Sequence, residues 1–191
     1  MDKFLTQRLN EILPKITSPE FLGGKGLGNE IPFYIFDYPP EDELHIRDHI
    51  QFLLNHIPKH RQGIRLKHIN LFDLVVDYLK ERNLLERSFQ MQIEKGDEAL
   101  AKALAGPLKS EKLVQIFAES AQPQNHDLIL VSGVGSVWPI VRSHTLLNNL
   151  QPVMGETPLI MFYPGRYDGQ NLRLFGKVKS APYYRAFRLI P

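Results

Sequence analysis

The residues able to do chemistry in this chain gather just after its apolar runs. Asp37 follows IPFYIF, and Asp73 follows IRLKHINLF. Ser132, Gly133, Gly135 and Ser136 follow LILV, and Tyr163 to Asp168 follow TPLIMF. Open α/β sheets bind ligands beyond the carboxyl ends of their strands. If these runs are parallel strands, the groups share one rim. Two carboxylates there, Asp37 and Asp73, have the chemistry of a Mg2+ site, and the Arg166 guanidinium could meet a phosphate. Local roles account for the same residues: Asp73 as a helix N-cap, Asp37 accepting turn amides before Pro39, Asp168 in a Tyr-Asp-Gly turn. The local roles are the expected ones.

The glycine loop LILVSGVGSVWP (128–139) fails as a phosphate cradle on particulars. A P-loop needs G-x-x-x-x-G-K-[ST], and no lysine follows these glycines. The spacing also misses G-x-G-x-x-G. Val134 stands where a nucleophile elbow needs serine. The expectation is a tight strand-to-helix turn with Ser136 as N-cap, leaving at most a weak anion site and no tight ATP binding. The second glycine loop, around Gly24-Lys25-Gly26, precedes a strand, which misplaces its amides. His45/His49 and His56/His60 are spaced for one helix face, yet Ile46 replaces the glutamate of H-E-x-x-H and Pro58 interrupts the second pair. Exposed surface histidines are expected, with no metal site and no catalytic residue.

From Gly165 onward the chain carries Arg166, Arg173, Lys177, Lys179, Arg185 and Arg188 against one acid, Asp168. Tyr167, Tyr183, Tyr184 and Phe187 are interleaved. Arginine with tyrosine anchors protein interfaces, which is the favoured reading. Lysine and arginine guarding a sheet edge come second. Phosphate pairing with base stacking comes third.

These groups need a scaffold. Apolar residues at helical spacing predict a helix over 1–16. Strands are expected at 31–40, 64–72, 126–133 and 157–165, with helices at 41–57, 73–84 and 137–150. A helical stretch over 85–121, broken at Gly106-Pro107, reads as an insertion. Segments 171–178 and 183–190 look like a closing antiparallel pair. Strands alternating with helices predict an α/β fold, one domain over 1–191, with a mostly parallel sheet covered on both faces. Trp138, the lone tryptophan, is expected in the core.

The bulk numbers agree with a globular protein: 191 residues, 43% hydrophobic. The absence of cysteine excludes disulfides, cysteine zinc sites and thiol catalysis. The first residues are too charged for a signal peptide, and no run approaches the ~20 apolar residues of a membrane span. A cytoplasmic protein is expected. A net charge of +2 is too small to argue for nucleic acid by itself.

Three strings together carry a resemblance: KGLGNEIPFYIFDYPPE (25–41), SGVGSVWPIVRSHTLLNNLQ (132–151), and PLIMFYPGRYDGQNLRLFG (158–176) with YYRAFRL (183–189). The chain resembles the BrxB family of bacterial bacteriophage-exclusion (BREX) defence systems. That resemblance implies a component of a multi-protein phage-defence system that marks host DNA by adenine methylation. Its other parts include an alkaline-phosphatase-superfamily protein (PglZ), an AAA+-type ATPase (BrxC) and an adenine methyltransferase (PglX). The family has no established catalytic residues to carry over and implies no cofactor. The implied role is a non-enzymatic adaptor binding PglZ, with BrxC and PglX as further candidate partners. The residues expected to meet a partner are Arg142, His144, Tyr163, Arg166, Tyr167, Asp168, Arg173, Tyr184, Arg185 and Arg188. A nucleic-acid module and a degenerate nucleotide-sensing domain are the alternatives.

Overall fold

The computed structural model describes residues 2–23, 32–60, 63–179, 182–183 and 185–191. Helix α1 (Lys3–Ile16) and a short α2 (Pro19–Leu22) lead to β1 (Phe33–Tyr38), α3 (Glu43–His60) and β2 (Leu66–Asn70). Then come α4 (Leu71–Glu81), α5 (Leu85–Leu104), α6 (Ser110–Ala121), β3 (Leu128–Ser132), α7 (Ser143–Met154) and β4 (Leu159–Tyr167). Short strands β5 (Leu172–Leu174), β6 (Val178–Lys179) and β7 (Phe187–Arg188) close the chain.

The protein is α/β, with a parallel sheet ordered β2-β3-β4-β1-β7. Every residue of β1 and β3 is buried, as expected of strands covered on both faces. On one face Phe36, Leu130, Ile160 and Phe162 meet Leu5, Leu9 and Ile12 of α1 and Ile50, Leu53 and Ile57 of α3. On the other, Ile35, Val131 and Met161 meet Val75 of α4, Phe117 of α6 and Leu147 of α7.

Antiparallel pairing sits where β5 bonds the end of β4 and β6 bonds β5. Among the described residues the segment 183–190 does not join them, against expectation. Its strand β7 crosses to the opposite edge and runs parallel to β1, pairing Tyr34 with Phe187 and Ile35 with Arg188. That course buries Leu189 and Ile190 beneath α1. A two-residue strand carries too little periodicity to reveal its partner.

Three other expectations are corrected. The helix after the glycine loop starts at Ser143, with turns before it, so Ser136 caps nothing. Val134, Val137 and Val141 are buried and pin those turns to the core. Asn70, not Asp73, caps α4: its side chain accepts from the Phe72 N–H at 3.0 Å. Pro58 does not end α3, which runs through it to His60.

In the stretch 85–121, α6 packs Leu113, Phe117 and Ala121 into the core. By contrast α5 buries only Ser88 and Leu104, turns at Gly96, and leaves Phe89 and Ile93 exposed. No helix among the described residues is long and apolar enough to cross a membrane.

Candidate functional site

The crossover from β1 runs through α3 on one face, and those from β2 and β3 run through α4–α7 on the other. β1 and β4 stay paired to the carboxyl end of β1, at Tyr38 and Pro164, and the region beyond such strand ends is the usual ligand position in these sheets. A cleft of about 390 Å3 opens there, lined among others by Arg8, Asp37, Arg166, Phe175 and Arg188.

Its floor is a buried ion pair. Arg8 donates to Asp37 Oδ1 at 2.7 Å, to the Asp37 carbonyl at 2.8 Å and to the Ile190 carbonyl at 2.9 Å. The Tyr167 N–H donates to Asp37 Oδ2 at 3.0 Å. The Arg8 guanidinium also lies over the Phe36 ring at 4.7 Å. Both carboxylate oxygens are thus engaged, and Asp37 ties α1, β1, β4 and the C-terminal segment together. Sequence reasoning passed over Arg8. The signal was present, because Leu5, Arg8, Leu9 and Ile12 share the apolar face of α1.

The rim is aromatic and carries both signs of charge, with exposed Asp2 and Glu41 in the lining beside Arg166 and Arg188. Arg166 and Arg188 are exposed, and Arg188 lies 3.7 Å from Asp37. Phe4 and Phe175 line the cleft and face solvent. Trp138 is 42% exposed, which corrects its expected place in the core. Its three valine neighbours take the interior positions, and Trp138 meets the edge of Phe175 at a ring separation of 6.4 Å.

The glycines of the loop serve this packing. A Cβ on Gly135 would stand 2.9 Å from Phe175 and 3.1 Å from Pro164. Gly133 holds φ at +72° with its backbone against the Asn70 side chain that caps α4. The glycines admit neighbours that any side chain would collide with.

The remaining expected residues divide. Tyr163 and Tyr167 are buried, 1% and 2% exposed, and frame the site from within. Burial pushes both phenols up to about 12. The Tyr167 hydroxyl sits 2.7 Å from the Ala186 carbonyl and 3.0 Å from that of Tyr183. Asp168 accepts from the Gln170 and Asn171 N–H groups at 2.9 and 2.7 Å, and these amides hold its carboxyl below the usual range. Arg173 is exposed, and so is Arg185, which donates to Gln151 at 2.9 Å. Tyr184 lies outside the described residues. Arg142 and His144 flank the start of α7, and Arg142 lines a separate depression with Leu108 and Leu113. Burial lowers the His144 pKa, helped by the Arg142 charge.

Asp37 and Asp73 do not share a ligand site. Asp73 lies on a larger groove, about 620 Å3, beside β2. Ser132 is buried near it, with its hydroxyl 2.8 Å from His68 Nε2. Burial lowers the His68 pKa, against the opposing charge of Asp73. Among the described residues no three His, Asp or Glu side chains converge as metal ligands. His49, expected on the surface, is half-buried; burial lowers its pKa, and its Nε2 has no hydrogen-bond partner.

The model of the family described as BREX protein BrxB matches residues 67–189. The chain belongs to the BrxB family. A BREX protein BrxB of Escherichia coli O9:H4 (strain HS) is 44% identical over 191 residues, covering all of this chain and 94% of its own. A second, from Bacillus cereus (strain H3081.97), is 42% identical over 190 residues, covering 97% of each. No solved structure matches the chain. The family match spans Arg166, Phe175 and Arg188 of the rim and the adjacent Trp138, while Arg8 and Asp37 precede it. BrxB membership makes the chain a component of a BREX system.

Proposed function

We propose that this BrxB-family chain is a non-enzymatic assembly component, docking a partner protein at the cleft between β1 and β4. One observation carries the reading. The cleft has interface chemistry around a neutralised floor: exposed Phe4, Phe175 and Arg166 surround an Asp37 already engaged by Arg8 and Tyr167, and exposed Trp138 stands beside them against the edge of Phe175. Tryptophan and arginine dominate binding hot spots, whereas a carboxylate with both oxygens occupied is a poor acid, base or cation ligand. The partner expected from the family is the PglZ-like alkaline-phosphatase-superfamily protein, with the BrxC-like ATPase as a second contact. The PglX-like methyltransferase is a further candidate partner. Calorimetric titration of the wild-type chain and Trp138→Ala into purified PglZ tests it. The expected result is tight binding by the first and at least about tenfold weaker binding by the second. Equal affinities would place the interface elsewhere.

A nucleic-acid reading draws on the exposed Arg166, Arg173, Arg185 and Arg188 beside these aromatics. It predicts a gel shift that weakens steeply as salt rises. Absence of any shift at low salt dismisses it.

A further inference from the structure

The groove beside β2 carries a different kind of chemistry. Strand β2 ends the order β2-β3-β4-β1-β7, so one of its edges has no strand partner among the described residues. The ladder tells which backbone groups that edge presents. The Ile129 N–H donates to the Pro158 carbonyl, toward β4, so Leu128 and Leu130 turn toward β2. With Leu66 opposite Leu128 and His68 opposite Leu130, the pairing engages Arg65, Lys67 and Ile69. The N–H and C=O groups of Leu66 and His68 therefore point out of the sheet. The groove passes this edge, with Lys67, His68, Ile69 and Asn70 in its wall.

The walls are acidic. Asp73, Asp77 and Glu81 recur every fourth residue along α4, and Glu119 of α6 faces the same groove. All four are exposed. Lys67 is the lone lysine in the lining. Of the cations just outside it, Lys80 is drawn to Asp77 at 3.3 Å, and Arg82 and Lys112 lie over the Tyr78 ring.

We propose that the open edge of β2 receives an extended, basic segment of a partner protein, which joins the sheet as an added strand. The edge supplies main-chain hydrogen bonds, and the carboxylates select lysine and arginine side chains. The same carboxylates disfavour a second copy of this chain, since two acidic rims would meet across the joint. The arginine cleft at β1 and β4 plays no part in this docking.

The test uses the full chain and two synthetic peptides, one alternating lysine with valine and one alternating glutamate with valine. Amide hydrogen exchange is followed by NMR. With the lysine peptide, the Leu66 and His68 amides become protected, while Lys67 and Ile69, already bonded to β3, do not change. The glutamate peptide has no effect. The double variant Asp77→Lys/Glu81→Lys keeps its melting temperature and binds the lysine peptide at least about tenfold more weakly. Binding of neither peptide, equal binding of both, or protection without the alternation at Leu66 and His68 would overturn the proposal. None of these results bears on whether the arginine cleft binds PglZ, which is read by the titration of Trp138→Ala.

Discussion

The cleft at β1 and β4 and the groove at β2 lie on one sheet and are built on opposite plans. Near the cleft the backbone is engaged: β1 is paired along its length by β4 and at Tyr34 and Ile35 by β7, and the Asp37 carbonyl accepts from Arg8. What it offers is side chains, aromatic and of both charges, over a buried ion pair. At the groove the side chains are acidic, and the edge itself is open. An interior strand can recognise a partner only through the residues at its end. An edge strand can also lend its main chain. The sheet order thus decides which mode each site can use.

The largest expected effect is at the floor of the cleft. Arg8→Ala strands Asp37 as an uncompensated buried charge and should cost about 3–5 kcal/mol in urea unfolding. Arg8→Met combined with Asp37→Leu should cost much less. A loss below about 1 kcal/mol for Arg8→Ala would instead leave Asp37 free for ligand chemistry and erase the contrast between the two sites.

Gly133→Ala comes next. It forces a side chain into left-handed backbone against the α4 cap, and should lower stability by roughly 1–3 kcal/mol in a thermal melt. A neutral result would mean the loop does not brace α4 beside the groove.

Trp138→Ala sharpens the comparison differently. A core tryptophan would cost about 3–5 kcal/mol, whereas this exposed one should cost about 1 kcal/mol or less, with the loss appearing in partner binding. A large drop in stability would return Trp138 to the core.

The smallest effect is on pH dependence. His49, His68 and His144 all have folded pKa values lowered by burial. The unfolded chain then binds more protons, so stability falls as pH drops through the unfolded value near ~6.5 toward the lower folded values. Stability should decline between pH 7 and 5, and His68→Gln should flatten part of that slope. No change in slope would mean that His68 titrates alike in the folded and unfolded chain.

The alternating strands and helices were legible because buried parallel strands read as continuous apolar runs, as in PFYIF and LILVS. Asp37 was legible as a strand-end carboxylate. Its partner Arg8 lies 29 residues earlier, and side-chain pairing at that distance leaves no local pattern. Trp138 was misplaced because lone tryptophan suggests burial, while the turn around it was filled by smaller valines. The β2 groove escaped notice because edge status depends on strand order, which a residue pattern does not encode.

The central claim is that the β1/β4 cleft docks a partner. Its most direct test is co-expression with the PglZ protein of the same system, followed by size-exclusion chromatography with mass detection, for wild type and Arg166→Glu. The account predicts a complex of defined stoichiometry for wild type, and separate elution for a variant with an unchanged melting temperature. Co-elution of both chains alike, or separate elution of both, would contradict it.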